Sequence, residues 1–175
     1  MNTNLKGIYH KVDLCVVGGG LAGMCAAVAA ARHGIKVALM HDRPVYGGNA
    51  SSEIRMWVCG AHGKNNRETG IIEEIALETL YRNPYRRYPM WDAILFELIN
   101  NEKNITPILN CSCNDIEMDG SKIKKVIGWQ TTTQCYHIVE AKLFADCSGD
   151  SILAPLSGAE YRWGRESRKW SSAKA

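Results

Sequence analysis

The chain has 175 residues, and its 21 Lys and Arg against 18 Asp and Glu give a formal net charge of +3. With 46% apolar and 22% charged residues, the composition is typical of a one-domain globular protein and excludes a disordered tail, a collagen-like repeat and a low-complexity linker. The charge is small, and no run of Lys and Arg exceeds two neighbours, so we expect no nucleic-acid partner.

The first forty residues predict a strand, a helix and a second strand. Residues 12–17 form an apolar, β-branched run that ends in glycine, which indicates a buried strand. Residues 21–33 are rich in alanine and end at Gly34, as a helix does, and residues 36–40 form the second strand. Such a βαβ unit has parallel strands and a right-handed crossover.

The uncharged stretch 14–31 also has the outline of a signal peptide or a membrane span. Three consecutive glycines at 18–20 interrupt any single helix there, and the stretch divides into strand, turn and helix, so we expect no membrane segment. The seven cysteines are odd in number and follow no disulfide or zinc-site spacing. We therefore expect free thiols, a cytoplasmic location and no bound metal.

After the βαβ unit the sequence predicts a long loop, a helical insertion and a series of strands. The loop covers 41–67 and is followed by amphipathic helices over 69–80 and 91–101. From residue 105 the apolar period changes to two, which is typical of strands. We predict strands at 105–111, 115–118, 123–130 and 136–141, a last buried strand at 142–147, and a short helix at 151–156.

The motif Gly18-x-Gly20-x-x-Gly23 lies directly after the first strand and opens the helix. Gly18 permits a tight turn, Gly20 lets the backbone approach a pyrophosphate, and Gly23 lets helix and strand pack closely. The free N–H groups and the positive dipole end of the helix favour phosphate. The pattern therefore predicts a dinucleotide site, while a glycine turn that only packs a helix on a sheet is the alternative.

An acid that binds the adenosine ribose is expected about 20 residues further on, at the end of the second strand. His41 directly follows that strand and Asp42 comes next. Either residue can make the contact at this stage. The alternative for Asp42 is a solvent-facing acid paired with Arg43.

Two further motifs follow in order, Gly47-Gly48-Asn49 and the segment 145–150, which reads Ala-Asp-Cys-Ser-Gly-Asp. Together with the first glycine motif, they resemble the FAD-dependent oxidoreductases of the glutathione-reductase-like superfamily, which are related to the fumarate reductase flavoproteins. The resemblance spans residues 12 to about 165. It implies an α/β fold, a Rossmann-like FAD/NAD(P)-binding βαβ sheet with a β-meander and a partial helical substrate-domain insertion.

The resemblance also implies FAD as the cofactor and a division of the chain. Residues 1–165 are the expected FAD-binding domain, with the loop and helical insertion at 50–104 and the meander at 105–141, and 166–175 are an unstructured tail. Gly48 and Asn49 are expected towards the flavin. The full set of expected cofactor contacts is Gly18, Gly20, Leu21, Ala22, Gly23, His41, Asp42, Arg43, Gly47, Gly48, Asn49, Gly149 and Asp150. The alternative for Asp150 is a cap on the short helix that follows.

The expected activity is flavin-mediated hydride transfer on a small molecule. Arg55 and His62 follow the Gly-Gly-Asn motif, and we expect Arg55 to orient an anionic or hydroxylated substrate and His62 to accept a proton. Only Cys59 lies in that loop, which excludes a dithiol–disulfide reductase.

Two alternatives to this activity differ in class. One is an FAD- or NAD-binding module or remnant without redox activity. The other is a flavin-dependent RNA-modifying protein, which the lack of a basic stripe disfavours. Because relatives in the resembled family usually run to several hundred residues, we also expect an N-terminal fragment of a larger protein. Such a fragment would expose apolar surface and self-associate.

Overall fold

The computed structural model describes residues 6–61, 63–162 and 164. In chain order the helices and strands are β1 (Gly7–Val17), α1 (Leu21–Arg32), β2 (Val37–Met40), α2 (Gly70–Arg82), α3 (Tyr88–Asn100), β3 (Ile105–Ile108), β4 (Cys111–Asp119), β5 (Lys122–Gln130), β6 (Cys135–Asp146) and α4 (Leu153–Ser157). A short 3-10 turn, Gly48–Ala50, lies in the loop after β2.

The described strands form one six-stranded sheet in the order β3-β2-β1-β6-β5-β4. The strands β3, β2, β1 and β6 are parallel to one another. Beyond β6, β5 and β4 continue the sheet as an antiparallel meander. One core layer packs α1, α2 and α3 on the sheet, and a second core layer joins β4, β5 and α4 to its other face. This α/β architecture is the predicted fold class.

The strand predicted at 105–111 is two strands that belong to different parts of the sheet. Residues 105–108 pair in parallel with β2, and the meander begins only at Cys111, so the expected start at 105 is wrong. The chain turns at Asn110, whose φ is +54°, and the Cys111 N–H then donates to the carbonyl of His41. A period-two pattern gives the faces of a strand but not its neighbour, so it cannot reveal this change of partner.

The strands predicted at 136–141 and 142–147 are the single strand β6. It pairs in parallel with β1 from Gly7↔Tyr136 to Val17↔Asp146, so β1 begins five positions before the predicted start at Val12. The first half of β1 alternates between half-buried and exposed side chains, which conceals it from a search for buried runs. The last part of β6 is not buried as predicted, since Leu143 is 68% exposed.

The helical insertion is anchored to the sheet through α1. Small and apolar residues of α1, among them Ala27, Val28 and Ala31, are fully or almost fully buried. Arg32 at the end of α1 makes a bidentate pair with Glu74 of α2 and a further bond to Glu102, each at 2.7 Å. These pairs are partly solvent-exposed and contribute modestly to stability, but they fix the direction of α2.

Other features of the described residues bear on the expectations above. None of their helices combines the length and the apolar character needed to cross a membrane. No group of three or more His, Cys, Asp or Glu side chains in that part of the chain can hold a metal ion. All seven cysteines are free thiols, and Cys111 and Cys113 both pack in the second core layer.

A histidine pair joins β1 to β6. His10 Nε2 lies 2.9 Å from His137 Nδ1, and the other ring nitrogen of His137 lies 3.1 Å from the side-chain oxygen of Gln130. Burial lowers the pKa of both imidazoles, and the neighbouring His10 lowers the pKa of His137 further. Two neutral imidazoles satisfy this series of hydrogen bonds, because His137 donates to Gln130 and accepts from His10.

Because the folded pKa values of His10, His41 and His137 lie below the ordinary 6.5, the unfolded chain binds more protons at mildly acidic pH. We predict that these histidines contribute fully to the free energy of unfolding above pH 6.5. Below that pH the free energy of unfolding should fall, by at most about 1.4 kcal/mol per pH unit for each proton taken up. Urea unfolding at several pH values measures the slope. His10→Gln should reduce it, and Ser121→Ala, at an exposed position without a titrating group, should leave it unchanged.

Candidate functional site

The glycine motif packs the end of β1 against the start of α1. Gly18 has a φ of +106°, and a Cβ there would lie 2.2 Å from the carbonyl oxygen of Cys147. A Cβ at Gly23 would lie 1.9 Å from the carbonyl oxygen of Gly18. Neither position accepts a side chain, so these two glycines make the close turn and the close helix–strand packing that their spacing predicts.

Gly20 differs from the other two motif glycines because it faces open space. Its φ of −66° is ordinary, and a Cβ there would meet only the Cα of Gly48, at 3.9 Å. The helix begins at Leu21 with no side-chain cap and no acid in its first turn. The positive end of the α1 dipole and the early N–H groups of Leu21 and Ala22 therefore lie beside a space that no side chain neutralises.

The second glycine motif, 27 residues further along, closes on the first. The Gly47 N–H donates to the carbonyl of Gly19 at 2.9 Å, and Gly20 and Gly47 form a parallel bridge. A Cβ at Gly48, where φ is +57°, would lie 3.1 Å from the Cα of Gly20. The structure thus brings both motifs together and leaves Asn49 exposed beside them.

His41 is a buried support for the glycine turn. Its side chain is 4% exposed, its Nδ1 accepts the Gly19 N–H at 3.0 Å, and its Nε2 lies 3.1 Å from the carbonyl of Val45. Burial lowers its pKa, so the ring is neutral, with the proton on Nε2. Asp42 lies 3.2 Å from Nδ1, but that nitrogen already accepts the Gly19 N–H and makes no ion pair.

Asp42 is exposed and lines a small cavity of about 150 Å³ next to the glycine turn. Gly18, Ser148 and Asp150 line the same cavity, so the structure brings the two predicted acids to one place. Arg43 reaches Glu53, with 3.6 Å between Nη1 and Oε2. Asp42 is thus solvent-facing, as the alternative interpretation held, but the ion pair of Arg43 is with Glu53 and not with Asp42.

The short helix α4 is capped by Asp146 and Ser148. The Leu153 N–H donates to Asp146 Oδ2 at 2.8 Å, and the Ile152 N–H donates to Ser148 Oγ at 3.2 Å. The alternative role of Asp150 as the cap is therefore wrong, and its carboxylate stays exposed. This cap is not among the predicted features, although an Asp two residues before a Ser is a recognisable signal for such a turn.

Arg55 lies in the loop after the second glycine motif, with a φ of +63°. Its Nε donates to the carbonyl of Ser52 at 3.0 Å, and its guanidinium lies 5.6 Å above the ring of Tyr88. Tyr88 donates in turn to the Arg55 carbonyl at 2.9 Å, and Asp92 accepts the Ser52 N–H at 3.0 Å. The helix α3 therefore positions this loop, which the sequence did not predict. His62 lies outside the described residues.

A parallel sheet, an uncapped helix start beside an open glycine, and acids next to that turn define a dinucleotide-binding protein. The chain belongs to the FAD dependent oxidoreductase family, whose sequence model matches residues 13–173. FAD is accordingly its cofactor, as the resemblance implied. The open face of Gly20 and the uncapped α1 fit the diphosphate of such a molecule.

Several solved structures share the fold of this chain. The myxobacterial chondrochloren halogenase CndH aligns with a TM-score of 0.57 and 17% identity, over 81% of this chain and 38% of that chain. The glycerol-3-phosphate dehydrogenase from Bacillus halodurans, solved with FAD, aligns with a TM-score of 0.55 and 15% identity, over 84% of this chain and 36% of that one.

Adenylylsulfate reductase from Archaeoglobus fulgidus gives a TM-score of 0.51 at 13% identity, over 82% of this chain and 31% of that chain. The chain thus spans well under half the length of each of these three proteins. At these identities the likeness establishes the fold. No curated protein matches the sequence.

The glycine geometry predicts that the same substitution has a large effect on stability at one motif position and a small effect at another. Gly23→Ala forces a methyl group against the Gly18 carbonyl and should lower the free energy of unfolding by about 3 kcal/mol or more. Gly20→Ala meets open space at an ordinary φ and should change it by less than about 1 kcal/mol. Urea unfolding of both variants checks this, and equal losses would contradict the geometry.

Proposed function

We propose that the chain binds FAD with its diphosphate on the backbone of the glycine corner, defined as Gly18–Gly23 together with Gly47 and Gly48. The supporting observation is that Gly20 alone among the three motif glycines leaves space for a ligand. The N–H groups of Leu21, Ala22 and Gly23 donate to the phosphates, because the first turn of a helix leaves its N–H groups without intrahelical partners.

The adenosine half of FAD lies on the side of the small cavity. Asp42 accepts the ribose hydroxyls there, because its carboxylate is exposed while both nitrogens of His41 are engaged. Gly149 has a φ of +84° and no neighbour at its Cβ position, so its backbone and Asp150 approach the ligand without obstruction. Arg43 is held by Glu53 at the edge of this region.

The flavin half extends past Gly48 and Asn49 towards the loop that carries Arg55. FAD supplies hydride transfer when it is bound, and the protein residues supply position and charge. Arg55 orients a substrate over this loop, since Tyr88 and Ser52 hold its guanidinium and backbone in place. His62, on sequence grounds alone, accepts the substrate proton.

These roles make the protein an oxidoreductase that transfers a hydride between a small-molecule substrate and FAD. Residues 1–165 serve as the FAD-binding domain, with 50–104 as the part that faces the substrate. The competing function is a module that binds FAD or NAD without redox activity. The Arg55 loop favours catalysis, because α3 fixes it at two points beside the second glycine motif.

The visible spectrum of the purified chain tests the proposal directly. We expect a bound yellow chromophore at one FAD per chain, and Gly20→Val should remove it, because the valine side chain fills the space beside the α1 N–H groups. Ala29→Val, at an exposed position of the same helix, is the matched control and should retain the flavin. Unchanged FAD stoichiometry in folded Gly20→Val would overturn the proposal.

A comparison of two flavins tests the adenosine side. Asp42→Ala should weaken FAD binding about tenfold, because hydrogen bonds to a carboxylate are worth about 1.5–3 kcal/mol. Binding of FMN, which lacks the adenosine, should not change. Asp119→Ala, at the exposed end of β4, is the control. Equal losses for FAD and FMN would mean that Asp42 acts on the fold rather than on the ribose.

Two further properties are part of the proposal. The free thiols favour a reducing, cytoplasmic location. The chain self-associates through apolar side chains of α2, since Leu77, Leu80 and Tyr81 are 59%, 74% and 85% exposed. We propose no nucleic-acid or membrane partner.

A further inference from the structure

A second and larger cavity lies between the loop after the second glycine motif and the helices α2 and α3. Its volume is about 470 Å³, within the usual range of small-molecule sites. Leu21 and Ala50 belong to its lining, and each is the immediate neighbour of a residue proposed to contact the cofactor, Gly20 and Asn49. The cavity therefore adjoins the proposed flavin side of the glycine corner.

The lining of this cavity is largely apolar and aromatic. Trp57 and Tyr88 face each other with ring centroids 6.2 Å apart, and Ile72 and Trp91 contribute further apolar surface. The amide of Asn83, another lining residue, accepts the Arg87 N–H at 2.7 Å and donates to the Arg87 carbonyl at 2.8 Å. Such a surface offers few partners to a molecule with many hydroxyl groups.

Two polar atoms of the lining residues lack a partner. Thr79 Oγ1 and Trp91 Nε1 are sealed from solvent and make no hydrogen bond within the described part of the chain. Both groups can donate, and a buried donor without an acceptor costs free energy. Because both atoms are sealed from solvent, an acceptor oxygen of a ligand in the cavity reaches one of them only after that side chain rotates, and the hydrogen bond then removes that cost.

The charges of the lining do not favour a charged ligand. Glu68 and Arg86 are its two charged residues, one of each sign, and give no net preference for an anion or a cation. The small cavity on the other side of the glycine corner differs, because it contains the carboxylates of Asp42 and Asp150. The small cavity therefore suits the polar adenosine half of FAD, and the larger cavity suits an apolar ligand.

We propose that the larger cavity binds the substrate, and that the substrate is a neutral, flat, apolar molecule with one or two acceptor oxygens, such as a secondary aryl alcohol, which loses a hydride to FAD and its hydroxyl proton to the base and leaves as the aryl ketone. The term substrate rests on the proposed function, whereas the binding site does not. Aromatic walls select the flat apolar body, and the donors of Thr79 and Trp91 select the oxygen. The site rejects polyols, whose hydroxyl groups would lose their water partners inside it.

Titration of the full chain with acetophenone, ethylbenzene and glucose, followed by ligand-observed NMR, tests the proposal. Acetophenone should bind, and ethylbenzene, which lacks the oxygen, should bind about fivefold more weakly, as the loss of one hydrogen bond predicts. Glucose should not bind. Absence of acetophenone binding, or glucose binding of equal strength, would overturn the proposal.

Two pairs of variants locate the binding. Ala76→Phe places a ring in the cavity and should weaken acetophenone binding about tenfold or more, whereas Ala29→Phe, the same change at an exposed position of α1 outside the lining, should not. Thr79→Val should weaken acetophenone about fivefold and leave ethylbenzene unchanged. Retention of full acetophenone affinity in folded Ala76→Phe would remove the assignment of the site.

The same titrations separate this proposal from the one on FAD. They are run with and without FAD, and FAD retention is measured independently on each variant. Acetophenone binding that responds to Ala76→Phe in a chain that takes no FAD would retain the cavity as a binding site and overturn its substrate role. In the FAD-loaded chain, acetophenone should perturb the flavin absorption, and an unperturbed spectrum at saturation would also contradict a substrate role.

Discussion

The structure depends on the close approach of three backbone segments at the carboxyl end of β1. The end of β1, the start of α1 and the loop after β2 approach each other too closely for side chains, since a Cβ at Gly23 would lie 1.9 Å from the Gly18 carbonyl oxygen. The hydrogen bond from Gly47 to Gly19 and the buried ring of His41 join these segments. Because the contact uses backbone atoms, it leaves the first N–H groups of α1 free for a ligand.

Local signals in the sequence were sufficient for the first half of the fold and insufficient for the second. A glycine motif between an apolar run and an alanine-rich segment is typical of one structure, a strand, a turn and a helix. The sequence therefore predicts the bounds of α1 and β2 and the end of β1 to within a few residues, but not the start of β1. Strand pairing depends on distant residues. The turn at Asn110 moves the chain from the parallel part to the meander, and no period-two pattern records it.

The candidate site divides in the same way. The glycines were identified from spacing, since their role is local. The burial of His41 follows from its bonds to Gly19 and Val45, and the cap on α4 follows from Asp146, seven residues before the N–H that it accepts. The support of the Arg55 loop by Tyr88 and Asp92 joins residues more than thirty positions apart. Such contacts appear only once the helices are packed.

The strand β6 belongs to both the parallel part of the sheet and the meander, and this affects how cooperatively the sheet unfolds. This strand pairs with β1 along the parallel part and with β5 along the meander, and Tyr136, for example, has a partner on each side. The nucleotide-binding part of the sheet cannot be separated from the meander without breaking the hydrogen bonds along one edge of β6. We therefore expect the glycine corner and the β4–β5 hairpin to unfold together. An insertion that disturbs the meander should then also weaken cofactor binding.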